Sequence, residues 1–106
     1  MAVMFVYATA SDAAEARRIG RAVVEERLAA CANVLAPMQS VYWWDGKVQE
    51  ADEAVLILKT TAERLDALVA RVRALHSYDC PCIEALAVNG GNPEFLAWVA
   101  RETGGA

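Results

Sequence analysis

The spacing of apolar positions changes several times along the 106 residues, and each change marks an element. Residues 2–9, Ala-Val-Met-Phe-Val-Tyr-Ala-Thr, are rich in β-branched and aromatic side chains and close at Ser11-Asp12, which predicts a first strand. Asp12 and Glu15 have the form of a capping box. Ala16, Ile19, Val23, Val24 and Leu28 then recur at helical spacing, predicting a helix over 12–29. From Cys31 to Trp44 the pattern is β-like, and Asp45-Gly46 is a two-residue hairpin signal. The return strand carries Val48 and Ala54–Leu58 and ends near Lys59-Thr60, with Glu50, Asp52 and Glu53 read as a solvated rim. Thr60-Thr61-Ala62-Glu63 has the form of a second capping box, ahead of Leu65, Leu68, Val69, Val72 and Leu75 on one face of a second helix. His76 to Pro81 is a loop, because the residue before a proline is pushed out of the helical region. Residues 82–88 alternate as a fourth strand, Asn89 to Pro93 is turn chemistry, and Pro93 opens a last helix with Phe95, Leu96, Trp98 and Val99.

Two β-α-β units joined by a hairpin predict a single α+β domain over residues 1–106. It is a ferredoxin-like βαββαβ sandwich with both main helices on one face of an antiparallel sheet and a C-terminal helix. A second strand of fourteen residues reaches roughly 45 Å, whereas a domain of this length has a radius of gyration near ~13 Å. The hairpin is therefore expected to project beyond the body. Trp43 and Trp44 are adjacent on it and point to opposite faces, so one layer of helices cannot cover both. Tyr42, Trp43 and Trp44 are expected at an interface with other copies, closing a ring by edge-strand addition, with the chain folding back over the hairpin as the alternative reading.

The chain is 57% apolar and 23% charged, too apolar for a disordered segment. No run approaches the ~18 apolar residues of a spanning helix, and no signal-peptide pattern opens the sequence, so no membrane association and a cytoplasmic location are expected. A net charge of −4 argues against nucleic acid as a partner, since that binding needs a basic face to displace counterions. Three cysteines, an odd number in a chain of this kind, are expected as reduced thiols.

The stretches Leu28-Ala29-Ala30-Cys31-Ala32-Asn33-Val34, Ser40 to Lys47, Leu58-Lys59-Thr60, His76 to Pro81 and Gly91-Asn92-Pro93 with Phe95-Leu96-Trp98 together resemble the CutA divalent-cation tolerance family. The resemblance spans nearly the whole chain. It implies a ferredoxin-like homotrimer, similar in architecture to the PII signalling proteins and linked to tolerance of copper and other divalent metals. His76 matches that family's histidine before the tyrosine loop, whereas some copper-binding members carry a second histidine where this chain has Leu75 and a cysteine where it has Ala8. Here the sequence offers Cys80-Pro81-Cys82 instead, where relatives often carry an apolar residue and an acid.

His76, Cys80 and Cys82 lie within seven residues and are soft donors of the kind that suit Cu(I), so they are the candidate metal ligands; loop packing is the alternative reading. His76 also sits where an imidazolium favours the end of a helix dipole. Cys31 reads as a small packing residue. By the resemblance, Lys47, Glu50, Lys59 and Tyr78 are candidates for a cleft between subunits, or else part of a solvated face. No nucleophile with its base, paired-carboxylate motif or phosphate loop is evident, so no enzyme is expected. Two functions stand: a metal-binding tolerance protein with copper or another divalent cation as cargo, and a PII-like signalling or scaffold trimer that takes a small ligand or an unidentified protein partner between subunits.

Overall fold

The computed structural model describes residues 2–104. Its elements are β1 (Val3–Ala10), α1 (Ala13–Glu25), β2 (Cys31–Trp44), β3 (Lys47–Thr61), α2 (Leu65–Leu75), β4 (Ile83–Ala87) and α3 (Pro93–Glu102). The four strands form one sheet in the order β2-β3-β1-β4, with every neighbouring pair antiparallel. This is the split βαβ arrangement expected from the sequence, and each half crosses over one strand of the other.

Alternation along β1 divides the sheet into two faces. Val6, Ala8 and Ala10 join Ala54, Leu56 and Leu58 of β3 beneath Ala16, Ile19 and Val23 of α1 and Leu68 and Val72 of α2, all fully buried or nearly so. Val3 points the other way and packs with Ala30 and Val99, so α3 covers one end of the opposite face. The rest of that face, including Phe5, Tyr7 and Ile57, carries no helix. Gly20 lets α1 approach the sheet closely: a Cβ there would lie 3.0 Å from the Ala32 Cβ and 3.2 Å from Leu56 Cδ1. Gly20→Val is expected to cost about 2–3 kcal/mol through overpacking. A melting temperature at or above wild type, at matched protein concentration, would contradict the close approach.

Helix α1 ends four residues before the expected boundary at 29. Arg27 adopts a left-handed φ of 63°, the Leu28 amide donates to the Val23 carbonyl at 2.9 Å and the Arg27 amide to that of Val24 at 3.0 Å. These two bonds are a Schellman stop, and Leu28, which keeps helical spacing, is its packing residue after the helix. The second capping box does not form either. Thr60 and Thr61 stay in β3, paired with Met4 and Val3, and the Thr60 hydroxyl donates to the Leu28 carbonyl at 2.6 Å. Helix α2 begins only at Leu65, after Arg64, which gives no side-chain cap. Strand pairing thus outcompetes the local cap. The Asp12 cap does form, accepting from the Glu15 amide at 2.8 Å.

The hairpin turns through Asp45 (φ 54°) and Gly46 (φ 73°), the paired left-handed conformation of a type I′ turn. The molecule measures 47 × 25 × 21 Å, and its long axis matches the length expected of β2. Between Leu35 and Met38 the β2–β3 register slips by one residue, placing Ala36 and Pro37 opposite Ala54 alone. Proline suits such a bulge because it has no amide hydrogen to give the ladder. Beyond it, Met38, Tyr42 and Trp44 occupy the face that odd-numbered residues of β2 occupy before it.

Candidate functional site at the hairpin root

The loop between α2 and β4 runs past the far end of β1, and three elements hold it there. His76 Nε2 lies 2.7 Å from the Thr9 carbonyl, and the Tyr78 amide donates to His76 Nδ1 at 3.0 Å. A neutral ring with its hydrogen on Nε2 satisfies both bonds. The Ser77 amide donates to Glu15 Oε2 at 2.9 Å, while Glu15 Oε1 accepts from the Ser11 amide and hydroxyl, each at 2.9 Å. Burial by itself would raise the Glu15 pKa, but the bonds from Ser11 and Ser77 outweigh it and hold the carboxyl at about 2.

Tyr78 closes the cluster. Its hydroxyl donates to Glu53 Oε2 at 2.7 Å, and burial together with the Glu53 carboxylate raises its pKa well above the phenolic range. Glu53 is only 9% exposed, which corrects the reading of Glu50, Asp52 and Glu53 as one solvated rim. The ring of Tyr78 also leans on that of His76, with centroids 4.7 Å apart. Nearby, the Tyr7 hydroxyl contacts Met38 Sδ at 3.6 Å. Burial, followed by Cys82, Glu53 and Glu84, raises the Tyr7 pKa. Cys82 Sγ lies 3.5 Å from Glu84 Oε1, and burial and that carboxylate push the thiol up.

The three candidate ligands are thus neighbours in sequence with different engagements. Both nitrogens of His76 are used within the chain, Cys82 faces Glu84, and Cys80 is exposed. Among the described residues no three His, Cys, Asp or Glu side chains are grouped to hold an ion. Cys31 pairs with Lys59 in the β2–β3 ladder, away from this loop and towards the α3 end of the sheet.

The proposed cleft residues are not brought together within one chain. Lys47 and Lys59 are twelve residues apart on β3, roughly 40 Å along the strand. Lys59 donates to Asn33 Oδ1 and lies 6.0 Å from the centroid of Phe5. Glu50 lines a shallow depression of about 310 Å³ with Gln39, Ser40, Val41, Ala51 and Asp52. On the hairpin tip, Trp43 is 75% exposed and Trp44 61%, with Tyr42, Val41 and Val48 also open to solvent.

Glu15, Glu53, Thr9 and Tyr7 complete the cluster but did not stand out in the sequence. Glu15 carried a signal only as a capping residue, and Glu53 was one acid among three. No helix among the described residues is long and apolar enough to cross a membrane.

The family model described as CutA1 divalent ion tolerance protein matches residues 4–102. A divalent-cation tolerance protein CutA of Archaeoglobus fulgidus is 42% identical over 95 residues, covering 90% of this chain and 92% of the relative. The chloroplastic protein CutA 1 of rice is 43% identical over 98 residues, covering 92% of this chain and 55% of the relative, so the chain spans about half of that longer protein. The crystal structure of CutA from Xylella fastidiosa superposes with a TM-score of 0.93 at 39% identity, covering 95% of this chain and 97% of the other.

Proposed function

The chain belongs to the CutA1 divalent ion tolerance family, and from that premise we propose that it works as a homotrimer that binds metal ions, copper among them, and takes part in the response to them. The family match over residues 4–102 carries this reading. The exposed hairpin supports the assembly: an apolar, two-faced ribbon asks for cover from neighbouring copies. Cys80 and Cys82 are exposed thiols and are the donors best suited to soft Cu(I). His76 joins them only by giving up its bond to Thr9 or Tyr78, so its first role in this reading is to fix the loop that presents them.

Native mass spectrometry of the reduced protein, titrated with Cu(I) against a competing chelator, tests subunit count and metal together. A trimer with a fixed copper ratio is the expected result. Cys80→Ser and Cys82→Ser are expected to weaken copper binding about tenfold or more, equivalent to about 1.4 kcal/mol, without dissociating the trimer. Unchanged affinity in both variants would overturn the thiol assignment.

The complete use of the His76 nitrogens favours a second reading, a PII-like trimer that takes a small ligand in a cleft formed by Lys47, Glu50, Lys59 and Tyr78 of different copies. Its mark is ligand-dependent thermal stabilisation that survives replacement of all three cysteines by serine.

A further inference from the structure

We propose that Cys80 and Cys82 form a redox-active dithiol that exchanges with low-molecular-weight disulfides, closing and reopening an intrachain Cys80–Cys82 disulfide. Both thiols are free and exposed, and one residue separates them. That residue is Pro81, whose fixed φ keeps the flanking Cα atoms about 5–7 Å apart, overlapping the window of about 4.4–6.8 Å that a disulfide spans. In extended chain the side chains two apart point the same way.

The ends of this segment are held. On one side Ser77 and Tyr78 are bound to Glu15 and Glu53. On the other, the Thr9 amide donates to the Cys82 carbonyl at 3.3 Å, where the chain enters β4. The two cysteines therefore sit on one short stretch that is anchored on both sides. A ring closed over a single intervening residue is small and strained, and strained, exposed disulfides are the readily reduced ones. The pair consequently suits a reversible switch and not a structural staple.

The surroundings also order the two steps. The Cys82 thiol donates to Glu84 Oε1 at 3.5 Å, whereas Cys80 is exposed beside it, so Cys80 attacks first. The Cys80 thiolate takes one sulfur of the small disulfide, whose S–S bond breaks and whose other half leaves as a thiolate that picks up a proton. Cys82 then attacks the Cys80 sulfur, loses its own proton to solvent and releases the second small thiol. Two protein thiols are oxidised and one small disulfide is reduced to two thiols.

The test uses the full chain, metal-free, in glutathione buffers of stepped thiol-to-disulfide ratio, with acid quench, alkylation and peptide mass mapping. The expected product is an intrachain Cys80–Cys82 link that forms and reverses with the ratio and leaves Cys31 alkylated. Cys82→Ser should trap glutathione on Cys80, and Cys80→Ser should take up glutathione at Cys82 at least tenfold more slowly. Independent mixed disulfides on both wild-type thiols, a bond to Cys31, or links between chains would each overturn the proposal. Equal uptake by the two serine variants would overturn the order of attack.

A regulatory consequence rests on the copper reading: the closed pair offers no thiolate donors, so bound Cu(I) should fall as glutathione disulfide rises. If the thiols are not ligands, copper binding is unmoved while the disulfide still appears by mass. The two failures are thereby distinguished.

Discussion

Replacing Trp43 or Trp44 with alanine is expected to convert the assembled protein into monomer or aggregate while leaving the body of each protomer folded. Neither ring contributes to the core of its own chain: the two are 75% and 61% exposed at the tip of a two-stranded ribbon. Trp43 pairs with Val48 and Trp44 with Lys47, and successive side chains leave the ribbon on opposite sides. If each ring is covered by another copy, its loss costs about 3–5 kcal/mol, the usual range for a buried tryptophan. A contact repeated at every interface of a ring multiplies that loss. Sedimentation velocity over a range of concentrations reads the result, with far-UV circular dichroism to follow the protomer. Trimers that persist unchanged in both variants would contradict the interface, as would a wild-type protein that is a stable monomer.

Loss of the Glu15 carboxylate has the next largest effect. This side chain is 7% exposed and accepts from the Ser11 amide, the Ser11 hydroxyl and the Ser77 amide. Glu15→Ala strands these donors and unties the α2–β4 loop from the start of α1. The expected cost is about 3 kcal/mol, measured by urea unfolding at fixed protein concentration. The same bonds give a pH signature. A carboxyl whose pKa falls from 4.5 in the unfolded chain to about 2 in the folded one binds fewer protons when folded. Its stabilisation is complete above pH 4.5 and is lost as the pH falls towards 2. Glu15→Gln, which keeps an acceptor and removes the charge, should therefore flatten the acid limb of the stability profile. A variant with the same acid dependence as wild type would place the titrating group elsewhere.

Elements whose signals are local were legible in the sequence. Asp45-Gly46 reads as a hairpin turn because both residues tolerate positive φ, and Pro93 reads as a helix start because its fixed φ suits the first turn. Long-range competition hid other features. Thr60 and Thr61 carry a helix-start pattern, yet β1 claims them as strand partners. Arg27 carries no stop signal of its own, and the helix ends there through backbone bonds back to Val23 and Val24. In the candidate site, His76 stands out by its donor chemistry and Tyr78 by the family resemblance, but their partners lie 67 and 25 residues away. An acid that accepts from a distant tyrosine looks the same in sequence as one that meets water. Glu53 and Asp52 are adjacent carboxylates, and only the pleat of β3 tells them apart.

The bulge at Ala36-Pro37 has a bearing on how this chain tolerates insertion and deletion. It acts as a phase correction: the extra residue of β2 is taken up there, and beyond it each tip residue emerges on the side that its β3 partner dictates. Deleting one residue at the bulge would restore an unbroken ladder and leave Trp43 opposite Val48 and Trp44 opposite Lys47, on the faces they already occupy. A one-residue slip of the ladder between the bulge and the turn would instead send every outer side chain to the wrong face. Single-residue length changes should consequently be tolerated at the bulge and selected against in the regular ribbon beyond it.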